Sequence, residues 1–173
     1  MADHLDAREP VAFNAMPDNA AAEALSACCA STAWVRAVLA GRPYASGAHL
    51  MQAANDALAA MSEDDVDEAL AAHPRIGAAP DESAAATTAS HHEQAGVQDA
   101  AAAIREALAA GNREYERRFG RVYLVRATGR SADELLTILH RRLDNDPATE
   151  RAVVRAELGE INRIRLQKLL VGT

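Results

Sequence analysis

The sequence predicts an all-α protein, one compact helical bundle of about seven to nine helices over residues 1–173. Three observations lead there. Hydrophobic residues fill 49% of the 173 positions, yet aromatics fill only 3%. Much of that apolar fraction is alanine, the strongest helix former. Runs of β-branched and aromatic residues, the signature of strands, are nearly absent. A chain of this length buries a substantial core without disulfide or metal staples.

The elements follow in order. "AFNAMPDNAAAEALSACCASTAWVRAVLAG" reads as one helical segment, with Pro17 near its start and Gly41 past its end. "RPYASG" is a turn, and "AHLMQAANDALAAM" a second helix. "SEDDVDEAL" opens a third, where Ser62 is the N-cap and acids in the first turn suit the helix dipole. Pro74 ends that helix, because a residue before proline is pushed out of α space. Residues 78–89 belong to a small, polar, weakly patterned loop.

"SHHEQAGVQDAAAAIREALAAGN" reads as a long helix ending at Gly111, and "NREYERRFG" as a short one closed by Gly120. "VYLV" is the lone strand-like run, too brief to build a sheet. In "TGRSADELLTILHRRLDND", Ser131 and Glu134 stand three apart and form a capping box. Pro147 suits the first turn of a last helix reaching to about Leu170. No internal repeat and no second domain is expected.

Charge and composition exclude several classes. The net charge is −7, with a pI of about 5.3, whereas a nucleic-acid binder carries a basic face. A small anionic substrate stays compatible, since local arginines override the global sign. Cys28 and Cys29 are adjacent and read as small apolar helix residues; no CxxC spacing exists. The start "MADHLDAREP" lacks the basic and apolar regions of a signal peptide. No stretch approaches the roughly 18 uncharged apolar residues of a membrane span, and "VGT" is no peroxisomal address. The expected compartment is the cytoplasm, with no membrane and no nucleic-acid partner.

Helical residues advance by about 100° each, so inward-facing polar side chains can be sought by counting. Val97, Ala100, Ile104 and Leu108 form one apolar stripe, and four residues before Val97 stands Glu93. His91 and His92 fall off that stripe. Val154, Leu158, Ile161 and Leu169 form another, with Arg165 in its middle and Arg163 pointing nearly the opposite way. Val66 and Leu70 lead to His73 on the same face, provided the last turn stays helical.

Buried charge is costly unless it is paired. The cheapest resolution brings Glu93 and Arg165 together with His73 nearby, an acid/base site with an anion clamp. Structural readings stand beside it. Ser90-x-x-Glu93 is itself a capping box. Arg165 fits a structural ion pair, and His73 a helix-end histidine that suits the dipole. A metal site from His73, His91, His92 and Glu93 competes, although adjacent histidines diverge on a helix and no HExxH spacing is present. No cofactor fingerprint occurs, whether a P-loop, a Rossmann glycine motif or a GxSxG elbow.

The blocks "HPRIG", "SHHEQAG", "NREYERRFGRVYLVRATGRSADELLTILHRRLDND" and "EINRIRL" occur in that order. Together they resemble the OHCU decarboxylase family, whose substrate is 2-oxo-4-hydroxy-4-carboxy-5-ureidoimidazoline, late in urate degradation. The likeness runs from Phe13 to Leu169, and "RPY" at Arg42 to Tyr44 resembles a further block. It departs at Arg75-Ile76, where many relatives have Asp-Leu, and at Arg126, which is often small.

The resemblance implies an all-helical, homodimeric, cofactor-free decarboxylase. It implies His73 as the catalytic acid/base, with Glu93 and Arg165 in the site. Pro74, Ser90, His91, His92 and Gln94 would line the pocket. Tyr123, Leu124, Val125, Arg126 and Ala127 would meet the substrate largely through backbone. Two other classes are carried beside it: a metal-dependent hydrolase and a non-catalytic helical interaction module.

Overall fold

A computed structural model describes residues 10–73, 75 and 91–172, with the backbone alone for 91–101 and 172. Among these residues the chain forms eight α-helices and no strand: α1 (Val11–Ala15), α2 (Asp18–Cys28), α3 (Thr32–Ala40), α4 (Gly47–Ala60), α5 (Glu63–Ala71), α6 (His91–Phe119), α7 (Ala132–Leu143) and α8 (Pro147–Gly172). The all-α prediction holds. The contacts divide the chain into two compact units, one of residues 1–72 and 152–173, the other of residues 73–151.

In the first unit, the segment read as one helix is three. Pro17 precedes α2 and Ser31 precedes α3, with Cys29 extended at φ −145° and ψ 117° between them. The Ser31 hydroxyl accepts from the Trp34 N–H at 3.3 Å, an N-cap that starts a new helix. Local capping chemistry overrides the alanine-rich composition here. Trp34 is fully buried and donates its indole N–H to the Ala54 carbonyl at 2.9 Å, tying α3 to α4. The Tyr44 hydroxyl donates to the Val38 carbonyl at 2.6 Å. That bond closes the turn after α3.

Ser62 and Asp65 form a capping box at the start of α5, with the Ser62 N–H donating to Asp65 at 2.8 Å. The helix stops at Ala71, with Ala72 as its C-cap, so it does not run on to His73. His73 sits in a bend. The proline restriction acts on His73 itself, and the last turn ends before reaching it.

In the second unit, α6 is one continuous 29-residue helix rather than two. Gly111 does not end it. An ideal Cβ there would lie 2.5 Å from Leu139 Cδ2, so glycine admits α7 to close contact. That packing offsets the cost of glycine in a helix interior, about 1 kcal/mol. Gly120, at φ +71°, ends the helix, its N–H donating to the Glu116 carbonyl at 2.8 Å.

Leu108, Tyr115, Tyr123, Val125, Leu135 and Leu139 form the core of this unit. The Tyr115 and Tyr123 rings meet edge-on at 5.2 Å. The Ser131–Glu134 capping box is present. Asp146 accepts from the Ala148 and Thr149 N–H groups at 2.9 and 3.1 Å, opening α8 at Pro147.

Along α8 the buried positions are Glu150, Val154, Leu158, Asn162 and Leu166, at a strict spacing of four. Each step of four turns the row by about 40°, so the buried face winds around the helix. The stripe through Ile161, Arg165 and Leu169 lies at its trailing edge, and all three are half-buried.

Candidate active site

Arg165 is half-buried on α8 and donates through one guanidinium nitrogen to the Cys28 carbonyl at 3.0 Å. Asn162, one turn earlier and 3% exposed, donates its amide to the same carbonyl at 3.0 Å and to the Leu158 carbonyl at 3.3 Å. The break between α2 and α3 supplies this acceptor, because the Cys28 carbonyl leads into the extended Cys29. The guanidinium is thus held at one corner. Arg163 is exposed and bonds Glu160 at 3.0 Å and Gln167 at 3.2 Å, on another face of the helix.

Burial pushes the Cys28 thiol up from 9.0 to about 11, although the Arg165 charge acts in the opposite sense. Burial raises Cys29 as well. Both are protonated, buried and unpaired by disulfide at neutral pH, as small apolar residues would be, but only Cys28 is helical and Cys29 is extended beyond the end of α2.

His73 is half-buried and opens the second unit, immediately after the α5 C-cap. Arg165 belongs to the first unit. Glu93, with His91, His92 and Gln94, lies in the first turn of α6; the side chains of these four are outside the described residues. So are those of Val97 and Ala100. Pro74, Ser90, the Ser90–Glu93 capping box and the loop 78–89 also lie outside them. Arg75 forms a bidentate pair with Glu116, at 2.6 and 2.9 Å, which holds the Glu116 carboxyl below its usual range.

Residues 122–127 form an irregular, non-helical run with Tyr123, Leu124 and Val125 buried, Arg126 half-buried and Ala127 exposed. Arg142 donates to the Leu124 carbonyl at 2.6 Å. Arg130 donates to the Arg126 carbonyl at 3.1 Å, and the Tyr123 hydroxyl to the Leu135 carbonyl at 3.2 Å. The run is therefore braced at Tyr123, Leu124 and Arg126 without a sheet.

Arg142 is 4% exposed and pairs with Glu150, 1% exposed, through Nε at 2.9 Å and a terminal nitrogen at 2.6 Å. The Tyr115 hydroxyl donates to the same carboxylate oxygen, and Asn145 to the other at 2.8 Å. Burial is the largest influence and opposes the Arg142 charge, but the bonds and charges of Glu150 and Tyr115 together outweigh it and hold the guanidinium protonated. Burial and Glu150 together push the Tyr115 phenol well up.

Sequence counting missed these residues although its own rule reaches them. Glu150 stands four before Val154 on the counted stripe of α8, and Arg142 follows Leu135 and Leu139 on the buried face of α7. Asn162 was equally accessible, four after Leu158.

Among the described residues the scaffold is all-helical, and two arginines, buried Arg142 and half-buried Arg165, hold backbone carbonyls in place. Known proteins specify the class further. A sequence model of the family described as OHCU decarboxylase matches residues 14–167. The uric acid degradation bifunctional protein TTL of Arabidopsis thaliana is 30% identical over 146 residues, covering 82% of this chain and 45% of that protein. The 2-oxo-4-hydroxy-4-carboxy-5-ureidoimidazoline decarboxylase of Amia calva is 30% identical over 138 residues, covering 78% of each. The chain thus spans less than half of the plant protein and about four-fifths of the fish one.

Among solved structures, an OHCU decarboxylase crystallised in the presence of (S)-allantoin matches with a TM-score of 0.70 and 26% identity, over 90% of this chain and 99% of that one. An (S)-allantoin synthase shares the fold at a TM-score of 0.68 and 18% identity, over 92% of this chain and 53% of that one. The chain belongs to the OHCU decarboxylase family, a family of carboxy-lyases.

Proposed function

We propose that the chain decarboxylates 2-oxo-4-hydroxy-4-carboxy-5-ureidoimidazoline to (S)-allantoin and CO2 in urate degradation, without a cofactor. The observation that carries this reading is the family match over residues 14–167. The likeness to an OHCU decarboxylase crystallised with (S)-allantoin supports it. Because one family match covers residues from both units, we read residues 1–173 as a single functional domain.

Decarboxylation needs a place for two electrons, and many enzymes recruit a cofactor as the sink. This substrate carries its own, the ring C=N beside the carbon that loses CO2. The bond to the carboxylate breaks, its electron pair forms a C=C bond to the neighbouring ring carbon, and the C=N pair moves onto the ring nitrogen, which takes up a proton from solvent. The resulting enol becomes a ketone as its hydroxyl loses a proton and the neighbouring carbon gains one. Delivery of that proton from one face sets the (S) configuration.

His73 is the group we assign to proton movement, since an imidazole titrates at about 6.5 and both accepts and donates near neutral pH. Arg165 binds substrate oxygens, one corner of its fork being held by Cys28. Glu93 orients His73 or binds ureido N–H groups. Pro74, Ser90, His91, His92 and Gln94 line the pocket, and the backbone of residues 123–127 completes it. The family resemblance further supports a homodimer. Among the described residues no helix is long and apolar enough to cross a membrane, and we assign the chain to the cytoplasm.

The test is to generate the unstable substrate in situ from urate and follow product chirality by circular dichroism. The wild-type chain should accelerate formation of (S)-allantoin, and His73→Ala should abolish the acceleration. Wild-type rates in His73→Ala remove His73 from the chemistry. Activity lost on chelation and restored by a divalent metal returns the reading to a hydrolase-type metal site.

A further inference from the structure

The proposed reaction gives Arg142 no role, yet among the described residues it carries a dense buried polar network. Its guanidinium bonds Glu150 twice, the Tyr115 hydroxyl at 3.3 Å and the Leu124 carbonyl at 2.6 Å. It lies 4.9 Å from the Tyr123 ring centroid and 5.6 Å from that of Tyr115. A buried ion pair is a weak source of stability, because desolvation consumes much of the attraction and an apolar replacement often serves as well. What an apolar replacement cannot do is hold a carbonyl in one direction.

That direction matters because the peptide unit is planar. The Leu124 carbonyl and the Val125 N–H belong to one peptide plane and point opposite ways. Fixing the first on Arg142 aims the second. The same holds at the Arg126 carbonyl, held by Arg130 at 3.1 Å, and the Ala127 N–H. Among the described residues no strand pairs with this run, so a ladder does not set these directions. The arginines do.

We propose that Arg142 is a positioning residue for the decarboxylation, fixing the Leu124 carbonyl so that the Val125 N–H is aimed at a substrate oxygen. This rests on the reading of residues 123–127 as backbone that meets the substrate. Glu150 holds Arg142 in turn by two bonds and Tyr115 by one. A preorganised N–H acts where negative charge develops, so its misdirection lowers turnover more than substrate binding.

The decisive variant is Arg142→Lys, which keeps the charge but lacks the fork that reaches Glu150 and Leu124 together. Two readouts are taken on the full chain. The first is the NMR shift of the Leu124 carbonyl carbon and the Val125 amide, with and without (S)-allantoin. The second is kcat and KM for the substrate generated in situ, per folded molecule. The proposal expects the Val125 amide to move in the free protein, and kcat to fall about tenfold or more with a smaller change in KM. Glu150→Gln, which keeps an acceptor for Arg142, should lose less than Glu150→Ala.

An unmoved Val125 amide, or a folded Arg142→Lys with wild-type kcat, overturns the proposal. If Arg142→Lys does not fold, Glu150→Gln against Glu150→Ala is read by the same two criteria. A wild-type chain that forms no (S)-allantoin overturns the functional reading itself. That failure is told apart because the Leu124 and Val125 shifts still report whether Arg142 holds the run.

Discussion

Arg165 donates to the Cys28 carbonyl at 3.0 Å, a bond between residues 137 positions apart in sequence. Asn162 shares that carbonyl, so the α2–α3 break is the fixed point from which the arginine is aimed. Arg163, two residues earlier, is exposed and spends its charge on Glu160 at 3.0 Å. The pair is therefore an internal control. Arg165→Ala should lower kcat/KM by about a hundredfold or more, while Arg163→Ala should leave it within about twofold, as an exposed pair contributes little. Equal losses in the two variants would remove Arg165 from the site.

Gly111 is matched to Leu139 in the same way that a knob is matched to a hole. A methyl group there would meet Leu139 Cδ2 at 2.5 Å in a fully buried core. Gly111→Ala should destabilise by up to about 2 kcal/mol, overpacking of about 1–3 kcal/mol exceeding a helix-propensity gain of about 1 kcal/mol. Gly159 is the counterpart in α8, where the nearest atom is Leu58 Cδ2 at 3.1 Å. There a shift of a few tenths of an ångström suffices, and Gly159→Ala should be neutral or stabilising. Denaturant midpoints of the two variants check both.

The buried thiols give an alkaline signature. Cys28 is raised from 9.0 to about 11 by burial, so the folded state favours the protonated thiol. That contribution is present in full below pH 9.0 and is lost as pH rises toward about 11. Its size is on the order of 2 kcal/mol. Burial shifts Tyr44 and Tyr115 in the same direction, so the wild-type loss has more than one source. Unfolding free energies measured across that window should fall less steeply in a Cys28→Ala, Cys29→Ala variant. A slope identical to wild type would show that the thiols titrate alike in both states.

The sequence alone determined much of this molecule through local rules. Alanine content and the lack of strand runs predicted an all-α chain. Ser62 and Ser131 marked helix starts because a capping box needs only four consecutive residues. The motif blocks around His73, Glu93 and Arg165 identified the family, since they persist as strings whatever surrounds them.

Tertiary structure decided what local rules could not. Gly111 looked like a helix end, because glycine is a helix breaker until a partner such as Leu139 needs its missing side chain. The α2–α3 break depended on Ser31 capping Trp34 against a helix-favouring background. The buried row of α8 winds about 40° at each step, so Arg165 on the counted stripe lies at its edge and is only half-buried, which the fold alone decides. Arg142 shows the reason most plainly. Its partners Leu124, Tyr115 and Glu150 lie 18, 27 and 8 residues away. Only a folded chain brings one guanidinium within reach of all three.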